Sequence, residues 1–259
     1  MPTASRSAAP DGPTGPRVVS LVPSVTETLL AWGLAPVGCS RFCPPVPGAR
    51  RVGGTKNPDL AAIGALAPDL VVLDEEENRR EDAEALAAAG LALVTTAVRS
   101  VADLDRDLAR VAGALGLPAP APLAERLGEL PPPGGRPRRV LVPIWRRPWM
   151  LLGPATYAGD LLRRLGVEVC APPGPDRYPA LPLAEWGALR ADLVLAPSEP
   201  YPFGERHRAE LASVAPVRFV DGQDLFWWGA RTPAAFGRLA AVLGAEGPGG
   251  DRLGGSAAG

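Results

Sequence analysis

The chain has 259 residues, 46% of them hydrophobic and 21% charged, with a formal net charge of −1. That composition is ordinary for a soluble globular protein, and its neutrality gives no footing for a nucleic-acid partner or an anionic membrane surface. No run of about 18 apolar residues exists, which excludes a transmembrane helix, and three cysteines at irregular spacing exclude a disulfide framework.

Residues 1–16 are rich in Ser, Ala, Pro and Gly and carry no apolar core of a signal peptide, so a disordered tail is expected there. As the sequence stands this predicts a cytoplasmic protein, or an extracytoplasmic one if the true start lies upstream. Residues 18–22 read as a buried strand. Ser24-Val-Thr-Glu27 reads as a capping box opening a helix over 26–32, closed by Gly33. A short strand at 36–39 precedes a loop at 43–54. Asn57 then caps, and Pro58 opens, a helix running to 66. A strand at 70–73, a helix at 78–89 closed by Gly90, and a strand at 92–95 complete an alternation that specifies a parallel sheet with helices on both faces.

Residues 101–117 place Val101, Leu104, Leu108, Val111, Ala112 and Leu115 at helical spacing. After Pro118, Pro120 and Pro122 the pattern resumes over 123–130, and 131–137 reads as a turn or linker. The alternation then returns: strand 140–144, helix 157–165, strand 167–170, helix 183–189, strand 193–196, helix 205–213 and strand 217–220. A last helix covers 233–243, and 247–259 is a low-complexity tail.

Two segments echo one another. Ala65-Leu-Ala-Pro-Asp-Leu-Val-Val-Leu-Asp-Glu-Glu-Glu77 matches Ala188-Leu-Arg-Ala-Asp-Leu-Val-Leu-Ala-Pro-Ser-Glu-Pro200, and Arg17-Val-Val-Ser-Leu-Val-Pro23 matches Arg139-Val-Leu-Val-Pro143. A repeat of this length suits a whole α/β lobe. The expected fold is therefore α/β, with two similar lobes, each a mostly parallel sheet flanked by helices, joined by a single helical backbone. The boundaries are a tail at 1–16, an N-terminal lobe at 17–98, a connecting helix and Pro-rich linker at 99–138, a C-terminal lobe at 139–246, and a tail at 247–259. Paired lobes predict a ligand cleft between them, and a one-helix connector predicts little hinge motion.

In open parallel sheets ligands bind beyond the carboxyl ends of the strands. Pro23, Ser24, Arg41, Phe42, Lys56, Trp145, Trp149, Tyr178, Tyr201, Trp227 and Trp228 follow such ends and are the candidate ligand-binding residues. Aromatic walls of this kind suit a large planar ligand. The run at 75–77 is open to two readings, a hard-cation site or a cap on the next helix. Cys39 and Cys43 read either as two small thiols or as a pair able to bridge or hold a metal. His207, in a polar helical stretch, reads as a surface residue. No enzyme constellation is found: Gly-x-Ser-x-Gly, a metal-ligand cluster and a nucleophile–base motif are all missing.

Arg17-Val-Val-Ser-Leu-Val-Pro-Ser-Val-Thr-Glu27, Val52-Gly-Gly-Thr-Lys-Asn-Pro-Asp-Leu60, Pro68-Asp-Leu-Val71 and Asp221-Gly222 resemble the vitamin B12-binding type of periplasmic substrate-binding protein. That type belongs to the helical-backbone metal receptors that serve ABC importers of cobalamin, haem and iron–siderophores. The resemblance implies a corrinoid or other metal chelate bound without catalysis and with no covalent cofactor. It also implies an ABC permease as partner, docked through Glu76 or Glu77 on one lobe and Glu199 on the other. The alternative is a cytosolic enzyme of metal-chelate metabolism on the same scaffold. Either form is expected to be a monomer without nucleic-acid contact or membrane insertion.

Overall fold

The structure, a computed structural model, describes residues 15–128 and 136–244, and the expected tails and the turn at 131–137 lie largely outside them. It divides into two compact units: Met1–Thr96 with Val111–Leu117, and Ala97–Arg110 with Pro118–Gly259. Among the described residues no helix is long and apolar enough to cross a membrane.

The first unit runs β1 (Val18–Ser20), α1 (Pro23–Ala31), β2 (Gly38–Cys39), β3 (Arg50–Arg51), α2 (Leu60–Ala65), β4 (Leu70–Asp74), α3 (Arg80–Ala88) and β5 (Leu93–Thr96). Its strands form one sheet in the order β3-β2-β1-β4-β5, every pair parallel. Val19, Leu21, Val71 and Leu73 from the sheet pack with Ile63 of α2 and Leu86 of α3. Each such side chain contributes about 1.5–3 kcal/mol by leaving water. Helix α4 (Val101–Ala114) then contributes residues to both units.

The second unit continues with α5 (Leu123–Leu127), β6 (Arg138–Leu141), β7 (Pro143–Trp145), β8 (Met150–Leu151), α6 (Tyr157–Arg164), β9 (Val167–Val169), β10 (Leu193–Pro197), α7 (Arg208–Ala212), β11 (Val217–Val220), α8 (Gly222–Phe226) and α9 (Thr232–Gly244). A second parallel sheet has the order β11-β10-β6-β9, and β7 pairs with β8 as a separate antiparallel ribbon. Leu141, Leu151, Val194, Phe203 and Leu211 pack around Trp186. The architecture is the expected α/β one, with parallel sheets flanked by helices.

The echo has a physical cause. In the first unit the Arg17 amide donates to Asp69 Oδ2 at 2.7 Å, and the Asp69 amide donates back to the Arg17 carbonyl at 2.8 Å. In the second, Arg139 and Asp192 make the same reciprocal pair at 2.9 and 2.8 Å. The Arg17 guanidinium reaches the Leu66 carbonyl at 2.7 Å, and that of Arg139 reaches the Leu189 carbonyl at 3.0 Å. Each arginine thus satisfies orphan carbonyls at a helix end. The chain leaves both helices through a left-handed non-glycine residue, Ala67 at φ 43° and Arg190 at φ 50°. One clamp, used twice, joins the first strand of each unit to the Asp-Leu-Val strand beside it.

Several local expectations are corrected. Helix α1 begins at Pro23 with Val22 as N-cap, so Ser24 lies inside the first turn and caps nothing. Proline at N1 lacks the N–H that a cap would serve and carries a helical φ already. The N-cap of α2 is Asp59, whose carboxylate accepts from the Ala62 amide, rather than Asn57. The loop at 43–54 contains β3. The strand at 140–144 is divided into β6 and β7, the helix at 183–189 is 3-10 throughout, and that at 205–213 opens as a 3-10 turn. The short β8 and α8 carry no periodic pattern and were not expected.

Candidate functional site

Because the strands of the first sheet all run the same way, their carboxyl ends share one edge. Pro23 and Ser24 leave it buried in the first turn of α1. Arg41 and Phe42 leave it exposed after β2: Phe42 is 53% accessible, with the Arg41 guanidinium 4.9 Å from its ring centre. Lys56 is exposed and donates to the Glu76 carbonyl at 2.5 Å. The acidic turn is built on buried Asp74, which lies one residue past the strand expected at 70–73 and ends β4. Its Oδ1 accepts from the amides of Glu76 at 2.9 Å and Glu77 at 3.3 Å, and its Oδ2 accepts from the Thr96 hydroxyl at 2.7 Å. Asn78 closes the turn, accepting from the Asp74 amide and donating to the Thr55 carbonyl. Glu76 is half-buried and Glu77 exposed. The helix-cap reading of 75–77 does not hold, because α3 starts after Arg79 with Glu81 and Asp82 in its first turn. Among the described residues no group of three or more His, Cys, Asp and Glu side chains is placed to hold a metal.

In the second unit Trp145 ends β7 and is 44% accessible. Its ring meets Tyr201 edge-on at 5.7 Å, Tyr201 tilts onto Phe203 at 4.7 Å, and Phe203 stacks on Trp149 at 6.0 Å. Trp149 in turn stands edge-on to fully buried Trp186 at 5.0 Å. A continuous aromatic run therefore leads from the core to an exposed indole. Arg146 supports it, stacking over Trp149 and gripping Glu210 through two hydrogen bonds of 3.1 Å. Trp227 belongs to a second group: it lies beside Glu199, and Arg231 covers its ring. Tyr178 is half-buried beside Arg177, and Trp228 is buried. Trp145, Trp149 and Tyr201 are thus brought together, Glu199 and Trp227 are brought together elsewhere, and Tyr178 and Trp228 join neither group.

His207 is corrected from a surface residue to a buried one. The polar letters around it hid the fact that the 3-10 turn Glu205–His207 aims its ring inward, against Tyr201 and Phe203. Burial, together with the Arg206 and Arg146 charges, pushes its pKa down, so it stays neutral. A neutral imidazole has one lone pair to offer. Two donors face the ring, the Gly204 amide at Nδ1, 3.2 Å away, and Arg206 Nε at Nε2, 3.3 Å away, so whichever nitrogen carries the lone pair is engaged. The chain's single histidine is spent on its own scaffold.

Glu199 is half-buried. Its neighbour Gly222 opens α8 so close by that a Cβ there would fall 2.4 Å from Glu199 Cγ. Burial raises the Glu199 pKa, against the Trp227 hydrogen bond, which lowers it, and the Asp221 charge adds to the rise. A carboxyl with a raised folded pKa binds its proton more tightly folded than unfolded. Its contribution to stability therefore falls as pH climbs through the folded pKa. Glu199→Gln, which keeps an acceptor for Trp227, is expected to unfold at higher urea than the parent near neutrality. The gap should close as pH falls below 4.5, the ordinary glutamate value. A variant less stable than the parent at neutral pH would contradict this.

The sequence pattern of the periplasmic binding protein family matches residues 18–192. A curated vitamin B12-binding protein of Salmonella choleraesuis (strain SC-B67) is 32% identical over 100 residues, which is 36% of this chain and 38% of the relative. The match thus spans well under half of that relative's length. Among solved structures, the periplasmic haem-binding protein BhuT in complex with two haems superposes with a TM-score of 0.73 at 23% identity, covering 88% of this chain and 98% of that one. The periplasmic vitamin B12-binding protein BtuF of Vibrio cholerae gives 0.71 at 16% identity, covering 88% and 96%. At these identities the structural likeness speaks for the fold.

Proposed function

The chain belongs to the periplasmic binding protein family, and on that premise we propose that it binds a flat metal chelate, a cobalamin-like corrinoid first, for an ABC importer. Membership makes it a binding protein rather than an enzyme, and the cytosolic-enzyme alternative finds no support among the proteins it resembles. The observation that carries the ligand reading is the aromatic run ending at exposed Trp145. A rigid indole held out from a core is a pre-paid contact surface for a planar ring system. The partial match to a vitamin B12-binding protein supports the corrinoid.

His207 supports it as well. A metal that needs an imidazole from the protein finds none free here, whereas a chelate that brings both axial ligands needs none. One observation favours haem as a second reading: Tyr201 meets exposed Trp145 edge-on, and a phenol in that place is a candidate oxygen ligand for iron. On either reading the importer's permease is the partner, met outside the cytoplasmic membrane, with Glu76, Glu77 and Glu199 as the proposed docking carboxylates.

Titration of the full chain with cobalamin, haem and a ferric siderophore, followed by tryptophan fluorescence and calorimetry, tests this. Quenching and heat with cobalamin are expected. Binding of haem alone, with a Soret shift lost in Tyr201→Phe, would favour the second reading. Silence with all three would end both.

A further inference from the structure

Cys39 ends β2 and Cys43 follows four residues later, after a turn in which the Cys43 amide donates to the Ser40 carbonyl at 3.2 Å. Both thiols are buried and free, and the two residues pack together in one small buried cluster with Val46. The surroundings of the two sulfurs differ. Cys43 Sγ lies 3.1 Å from the Thr26 hydroxyl and 3.2 Å from the Ser40 hydroxyl, and as a thiol it donates to the Ser20 carbonyl at 3.8 Å. The Thr26 proton is shared with the Val22 carbonyl at 3.1 Å, so it can swing to a sulfur that carries charge. Cys39 Sγ accepts instead from Arg51 Nη1 at 3.2 Å, and the same guanidinium holds the carbonyls of Ser40, Cys43 and Pro44.

We propose that Cys39 and Cys43 form an oxidisable dithiol, in which Cys43 is the nucleophile towards a hydroperoxide and Cys39 resolves the product into a disulfide. The neighbouring Cys39, with the Ser40 and Thr26 hydroxyls, draws the Cys43 pKa down against burial, which favours its thiolate. The neighbouring Cys43 and burial hold the Cys39 proton on, pushing its pKa up despite Arg51. In the first step the Cys43 thiolate attacks a peroxide oxygen. The S–O bond forms as the O–O bond breaks, and the departing oxygen takes a proton from water, leaving a sulfenic acid. The charge that retained the Cys39 proton has now gone, while Arg51 remains to steady a Cys39 thiolate. Cys39 loses its proton to solvent hydroxide and attacks Cys43 Sγ, expelling hydroxide, which is protonated to water. In sum, two thiols and one hydroperoxide give a disulfide, an alcohol or water, and a water. The sulfurs must close to about 2 Å, a movement carried by the turn at 40–43. That turn presents Arg41 and Phe42, so oxidation ties down both ends of the segment that exposes Phe42. A loop this short removes little entropy from the unfolded chain, so the consequence falls on loop conformation rather than on stability.

The reaction does not depend on any ligand, so it is tested on the purified full chain with hydrogen peroxide. Expected is a species two hydrogens lighter that retains one of its three thiols, with Cys39 and Cys43 joined on peptide mapping. At neutral pH Cys43 should react about tenfold or more faster than Cys170, whose pKa burial raises. Cys170→Ser should behave as the parent. Cys39→Ser should stop at a sulfenic acid that a 1,3-diketone traps. Cys43 carried on to sulfinic acid while Cys39 stays reduced would overturn the proposal, as would a crosslink to Cys170 or three thiols surviving peroxide.

Discussion

Trp186→Ala is expected to cost the protein about 3–5 kcal/mol of stability. The side chain is fully buried at the centre of the second unit, packed by Leu141, Leu151, Val194 and Phe203. Its Nε1 donates to the Leu181 carbonyl at 3.0 Å, a bond that pins the 3-10 helix Leu183–Leu189 to the strand-like segment before it. Alanine would leave a large cavity and that carbonyl without its donor, and a close-packed core relaxes only partly to fill such a space. Trp186→Phe separates the two terms, since it keeps most of the ring and loses only the N–H, for about 1 kcal/mol. Urea unfolding of both variants measures this. A Trp186→Ala loss below that of Trp186→Phe would show that the indole is not the centre of the core.

The parallel sheets were legible because fully buried strands write themselves as short apolar runs between helical patterns. Val18, Val19, Leu70, Val71, Val194 and Leu195 are such letters, and all are buried. The repeat was legible too, although its cause was not. Arg17 and Asp69 are 52 residues apart in the chain, and no local pattern says that they grip one another. The helix starts failed where two capping rules competed. Ser24 and Glu27 have the spacing of a capping box, but Pro23 one residue earlier already supplies a helical φ. Residue 57 lost the cap to Asp59, two positions later, because Pro58 sits in a bridge with Gly53 rather than in the helix.

The candidate site was legible in part, and for one reason. Aromatic residues in turn-like sequence have no periodicity that says which way they face. Trp145 and Trp228 looked alike as letters, yet one is exposed and the other buried. The same blindness hid His207 and Asp74. Both are polar letters whose burial depends on a partner distant in the chain or on a turn of the backbone. Asp74 carried one readable signal, an aspartate closing an apolar strand two residues before an amide that it accepts from.

Trp145→Ala is expected to weaken binding of the planar ligand about 30-fold or more, the loss of ~2 kcal/mol that marks an aromatic anchor. The stability of the fold should move by no more than about 0.5 kcal/mol, as for other exposed positions. The separation follows from geometry. Trp145 is exposed and meets Tyr201 edge-on, so its removal opens no buried cavity, and Tyr201, Phe203 and Trp149 keep one another in place. The same run gives the indole its value, because a ring already held in position loses little freedom when a ligand covers it. Trp145→Phe should recover part of the affinity through ring area alone. Calorimetry with cobalamin measures both variants. If Trp145→Ala leaves the affinity unchanged while the protein remains folded, the exposed indole is not the binding surface and the ligand reading falls with it.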